Sequence, residues 1–280
     1  MIIPKILPLV LCLSLSAQVN PSKLPPELQA TLESRMKRSQ EIFEYERLAW
    51  VASDLLMEKK PDQRDLGLWV ELVANQKRMI FFGRFKDAAD PKEKPEGFAV
   101  VYGFWAPVGK PSEVHELDIG KEIRSSPEAF KELPDLAEAA ALARKHPSSL
   151  GMGWNYSVFR EPDRTITAYL MPANSEPGIV PIGGDFRLTL APDGTKILKT
   201  VALHRSYLKM PINPPNADKA KPAGGFHTHT LEEDLPPETD AAVLMLYADP
   251  HPHYLLTRKG LFCFTGNQVV YLMSPEELKK

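Results

Sequence analysis

The chain has 280 residues, 43% hydrophobic and 25% charged, the composition of a folded globular protein and not of a disordered or fibrous one. Its 34 basic and 36 acidic residues leave a net charge of −2 with no basic tract, which argues against a nucleic-acid partner. Its 27 prolines, roughly twice ordinary usage, favour many short elements joined by stiff turns.

Residues 1–17 have the pattern of an export signal. Lys5 precedes an apolar run from Ile6 to Leu15, and Ser16 and Ala17 are small residues suited to cleavage. The expected location is periplasmic or secreted. The run is too short to span a bilayer, and no later segment approaches the necessary length, so no transmembrane segment is expected after signal removal. Cys12 leaves with the signal, so no internal disulfide is expected for the remaining Cys263. That cysteine, in Leu-Phe-Cys-Phe, reads as a small hydrophobe in a buried strand.

From Leu28 to about Lys59 apolar residues recur at helical spacing, between Pro25-Pro26 and Pro61; one long helix or two joined near Arg47 are expected. Three strand-like runs follow: Leu66–Val73, Arg78–Phe85 and Gly97–Trp105, with a hairpin turn at Ala74-Asn75-Gln76-Lys77. Ser126-Pro127-Glu128 reads as a capped helix start, and Leu133-Pro134-Asp135 restarts or kinks that helix. Beyond Gly151 come strands at Tyr156–Arg160, Thr165–Met171, Gly178–Ile182, Asp185–Leu190 and Ile197–Leu203. Ala191-Pro192-Asp193-Gly194 is a tight turn between the last two. Gly183-Gly184-Asp185 permits a bulge or a close backbone approach. Pro211–Gly225 reads as a proline-rich loop, and Val243–Tyr247, His253–Thr257, Leu261–Phe264 and Val269–Met273 as strands, with a short helix from Pro275.

The expected class is α+β: an N-terminal helix packed on an antiparallel meander, then a β-rich C-terminal half. A soft boundary near residue 148 separates the helix-plus-meander region 18–148 from the β-rich region 149–280, as two units or as one continuous domain.

The chemistry points to Gly-Gly-Phe-His227-Thr228-His229, followed eleven residues later by Asp240. Residues two apart on a strand face one side, about 6–7 Å apart. Two imidazoles so placed, with a carboxylate returning from the next segment, suit one divalent metal, zinc foremost. His204, His251 and His253 fall in the same region and are secondary candidates.

The spacing His227-x-His229, ten residues, Asp240 resembles the signature of the JAB/JAMM (MPN-domain) zinc metalloproteases. The resemblance covers about fifteen residues. It implies zinc on the two histidines and the aspartate, a bound water as nucleophile, and an assisting serine and glutamate. The serine position is Pro237 here. Glu176 and Glu161 are the upstream candidates for the base. The arrangement as a whole also looks like uncharacterised exported bacterial proteins, which implies no activity. Three readings follow: an exported protein binding one metal, a zinc-dependent hydrolase of the peptidase or isopeptidase type, and a periplasmic ligand-binding or interaction module using aromatic surface around Trp69, Trp105 and Trp154.

Overall fold

A computed structural model describes residues 24–62, 67–86, 96–147, 151–174, 176–212, 224–229, 234–247 and 251–279. The expected export signal and most of the proline-rich stretch after Pro211 lie outside these residues.

The first element is a single helix, α1 (Pro26–Glu58). Pro26 at its first position presets the backbone and costs no hydrogen bond there. No glycine or proline interrupts the helix until Lys60 turns left-handed just before Pro61. At 33 residues it is about 50 Å long, enough to serve two cores in turn. Its second half buries Tyr45, Leu48, Ala49, Ala52 and Leu56 in a first core. Its first half gives Leu32 and Ile42 to a second.

The first core is covered by an antiparallel meander of β1 (Leu68–Ala74), β2 (Lys77–Lys86), β3 (Glu96–Pro107) and the short β4 (His115–Glu116). At the β1–β2 turn Asn75 and Gln76 both take positive φ, 52° and 61°, the backbone twist a two-residue hairpin demands. Two short helices, α2 (Ile119–Ser125) and α3 (Pro127–Phe130), lead to α4 (Leu133–Arg144). Ser126 makes no capping bond to α3; its hydroxyl instead accepts from Asn75 Nδ2 at 2.8 Å. Buried Ala137, Ala139, Ala140 and Ala143 let α4 lie close on β1 and on the second sheet.

That sheet runs β5 (Trp154–Arg160), β6 (Ile166–Pro172), β8 (Phe186–Leu190), β9 (Ile197–Ala202), all antiparallel. Strand β6 is buried on both faces, and alternation along it explains why. Ile166, Ala168 and Leu170 enter the first core, whereas Tyr169 and Met171 enter the second. The remaining strands are a pair, β7 (Ile179–Gly183) with β10 (Tyr207–Pro211), and a last sheet ordered β11 (Gly225–Thr228), β12 (His253–Thr257), β13 (Gly260–Thr265), β14 (Gln268–Met273). β11 and β12 pair in parallel, joined through α5 (Glu238–Leu246), which packs on α1. The class is α+β, with the N-terminal helix on an antiparallel meander and most of the strands beyond it.

Three local expectations change. Val243–Tyr247 is not a strand but the second half of α5 and its cap. α2 and β10 were not anticipated from the sequence. Trp69, Trp105 and Trp154 all pack in or against the first core; Trp69 stacks on Tyr156 with ring centroids 4.5 Å apart.

Candidate metal centre

β11 is short, but its alternation is clean. Phe226 and Thr228 are exposed, whereas His227 and His229 are buried. The parallel pairing to β12 sets this register, with Gly225 beside His253 and His227 beside Leu255, and the His229 N–H extends it by donating to the Leu256 carbonyl at 2.8 Å. Both imidazoles therefore point inward together. Asp240 meets them from the first turn of α5.

The side chains converge closely. His227 Nε2 is 3.1 Å from His229 Nε2 and 3.2 Å from Asp240 Oδ2, and His229 Nε2 is 3.1 Å from that same oxygen. His204, from the connection between β9 and β10, places Nε2 3.0 Å from Asp240 Oδ1. One donor atom from each of these four residues lies within 4.8 Å of the others, and the cluster could hold a metal ion. Four ligands at 2.0–2.1 Å around one tetrahedral zinc stand about 3.3–3.4 Å apart. The observed separations around Asp240 Oδ2 sit just inside that figure.

Around the four donors lies a second layer. Asp185, 3% exposed, accepts from His204 Nδ1 through Oδ1 and from the Thr239 hydroxyl through Oδ2. His227 Nδ1 lies 2.6 Å from His253 Nε2. The His253 ring fills the space that a side chain at Gly225 would take. His229 Nδ1 makes no hydrogen bond among the described residues.

The buried acids and imidazoles act strongly on one another. Burial by itself would raise the Asp240 carboxyl; the rings of His204, His227 and His229 overcome this and hold it well below the usual carboxylate range. Burial would likewise lower His204, but Asp185 and Asp240 raise it well above an ordinary imidazole. His204 gives its Nδ1–H to Asp185 and turns a buried Nε2 toward Asp240 Oδ1, a position that holds a second N–H in the protonated ring the two carboxylates favour, or a lone pair for a bound cation.

Of the residues singled out in the sequence, His227, His229 and Asp240 meet, and His204 joins them. His253 touches His227 from behind. His251 is half-buried in the bend before β12 and is not among the clustered donors. Glu161 commits both carboxylate oxygens to Arg38, and Glu176 pairs with Lys209; neither belongs to the cluster. Asp185 escaped sequence reasoning as a site residue, although the Gly183-Gly184-Asp185 turn marked its position. Comparison with family models, curated proteins and solved structures finds no match for this chain.

Proposed function

We propose that this chain is an exported protein that binds one zinc ion through His204, His227, His229 and Asp240, in a closed site whose role is structural. The carrying observation is the convergence of three imidazole Nε2 atoms on the two oxygens of one buried carboxylate. A donor set of three nitrogens and one carboxylate, with His227, His229 and Asp240 Oδ2 already 3.1–3.2 Å apart, suits zinc better than calcium or magnesium, which take six or more oxygens. The apolar pattern of residues 1–17 supports the exported location.

The structural role follows from the ligand count. A catalytic zinc keeps one position for water, usually beside three protein ligands. Here His204 supplies a fourth donor, and all four side chains are at most 7% exposed. Neither Glu161 nor Glu176 is among the clustered donors. These observations favour a closed site over the hydrolase that the JAB/JAMM resemblance implies. Bound zinc would neutralise the carboxylate and tie together three segments of the chain: the β9–β10 connection through His204, β11 through His227 and His229, and α5 through Asp240.

The test is metal analysis of the purified full chain. About one zinc per chain is expected, falling below a tenth of that in His229→Ala. Absence of zinc from the wild type, even after incubation with the ion and desalting, would sink the metal reading. Peptidase activity in the zinc-loaded wild type that disappears on chelation would restore the hydrolase.

A further inference from the structure

The Gly183-Gly184-Asp185 turn has a role in the site that no donor atom of its own would suggest. It joins β7 to β8, and its two glycines take φ of 85° and 72°, a backbone closed to most side chains. A Cβ at Gly183 would strike the Ser206 carbonyl and come within 3.1 Å of His204 Cβ. The turn is therefore shaped to let the His204 segment lie directly on it. Asp185 grips that segment twice, since its carbonyl accepts from the Leu203 N–H at 3.0 Å and its carboxylate accepts from His204 Nδ1. The other carboxylate oxygen accepts from Thr239, the residue before Asp240 on α5. One buried carboxylate thus touches one donor residue, His204, and the neighbour of another, Asp240.

We infer that Asp185 is the positioning residue of this centre: it holds His204 in the Nδ1–H tautomer, aims Nε2 at the ion as the fourth ligand, and through Thr239 sets the distance between His204 and Asp240. The inference rests on the metal reading given above. Its physical basis is that an imidazole can ligate through one nitrogen only if the other keeps the proton, and a carboxylate acceptor fixes which one does. His227 has a weaker counterpart in His253, and His229 has none among the described residues. The fourth ligand is thus the one with a charged orienting partner.

The experiment compares wild type, Asp185→Ala, Asp185→Asn and Thr239→Val as full chains. Zinc affinity is measured by competition with a chromophoric chelator, and coordination number by the visible spectrum of the cobalt-substituted proteins. Wild type is expected to give the intense spectrum of four-coordinate cobalt. Asp185→Ala should lose about 10–100-fold in zinc affinity and shift to the weak spectrum of a higher-coordinate, water-bearing ion as His204 turns away. Asp185→Asn keeps an acceptor for the His204 N–H and should retain the four-coordinate spectrum with a smaller affinity loss. Should Asp185→Ala fail to fold, Asp185→Asn and Thr239→Val carry the comparison, with Thr239→Val expected to weaken zinc by several-fold. Wild-type affinity in both Asp185 variants overturns the inference. So does weakened affinity with an unchanged cobalt spectrum in Asp185→Ala, which would make the residue merely structural. Failure of the wild type itself to take up zinc or cobalt overturns the metal reading, and this inference falls with it.

Discussion

Glu46 shows how far a single residue of α1 departs from its ordinary chemistry. It is 5% exposed, and its carboxylate accepts from Ser157 Oγ at 2.7 Å. Burial pushes its carboxyl from the ordinary 4.5 up to about 7; the Ser157 bond opposes this, and nearby Glu71 adds to it. Between those two values the folded chain keeps a proton that the unfolded chain has lost. Stability from this group is therefore complete below about pH 4.5, falls as pH rises through the window, and levels off above about 7. At about 1.4 kcal/mol per pKa unit, the loss is on the order of 3 kcal/mol. Glu71 is raised to the same value, chiefly by burial and against the pull of Arg78, and contributes with the same sign. In Glu46→Gln the fall in stability from pH 5 to pH 8 should accordingly shrink by about 2–3 kcal/mol without vanishing. Urea unfolding at the two pH values measures it; a loss equal to that of the wild type would show that Glu46 does not titrate in this range.

At the scale of an element, α5 carries the most consequence for the site. It is short, and nearly every residue from Glu238 to Leu246 is buried, because it packs on α1 and β7 within the second core. Ala241 and Ala242 are almost wholly enclosed, and their small side chains permit the close approach. Ala241→Leu would force extra volume into a filled space, at a cost of about 1–3 kcal/mol. It would also displace the adjoining Asp240. The expected result is a lower melting temperature together with weaker zinc binding, whereas Ala241→Ser should change both little. Zinc affinity equal to that of the wild type in a destabilised Ala241→Leu would uncouple α5 packing from the site. The same burial explains why this element read as a strand. A helix buried all round shows no polar stripe, so Ala-Ala-Val-Leu-Met-Leu-Tyr fits either period. The signals for helix were present in Pro237 and in the acids Glu238 and Asp240 of the first turn, but apolarity outweighed them. By contrast, α1 and the β1–β2–β3 meander were legible within about two residues, because prolines bound the helix and turn residues separate the strands. The His-x-His pair and Asp240 were legible because strand alternation and a short chain separation link them. The contact of His204 with Asp240, and of Asp185 with both segments, depends on how three sheets come together, which no local spacing encodes.

Across the whole molecule, two cores share α1 and β6, yet only one of them adjoins the candidate metal. The first is large and aromatic, with Tyr45, Phe81, Phe82, Phe104 and Tyr156 all fully or almost fully buried. The second is smaller and gathers residues of α1, β6, β7, α5 and the last sheet. A bound ion would join the β9–β10 connection, β11 and α5, three segments that share no sheet. Anything that binds only the folded state stabilises it in proportion to the logarithm of its saturation, about 4 kcal/mol at a thousandfold excess over Kd. That stabilisation should fall on the segments the ion ties together and leave the first core to its own apolar burial. Chelation of the zinc-loaded chain should therefore speed amide exchange in β11, β12 and α5 by about 100–1000-fold, the range that roughly 3–4 kcal/mol of lost linkage corresponds to. Exchange in β1, β2 and β3 should change by less than about threefold. Hydrogen exchange read by mass spectrometry with and without chelator measures both regions in one experiment. Unchanged protection in β11 and α5 would mean that the ion contributes nothing to the fold; equal loss in both regions would mean that the two cores unfold as one unit and that the centre secures the entire chain.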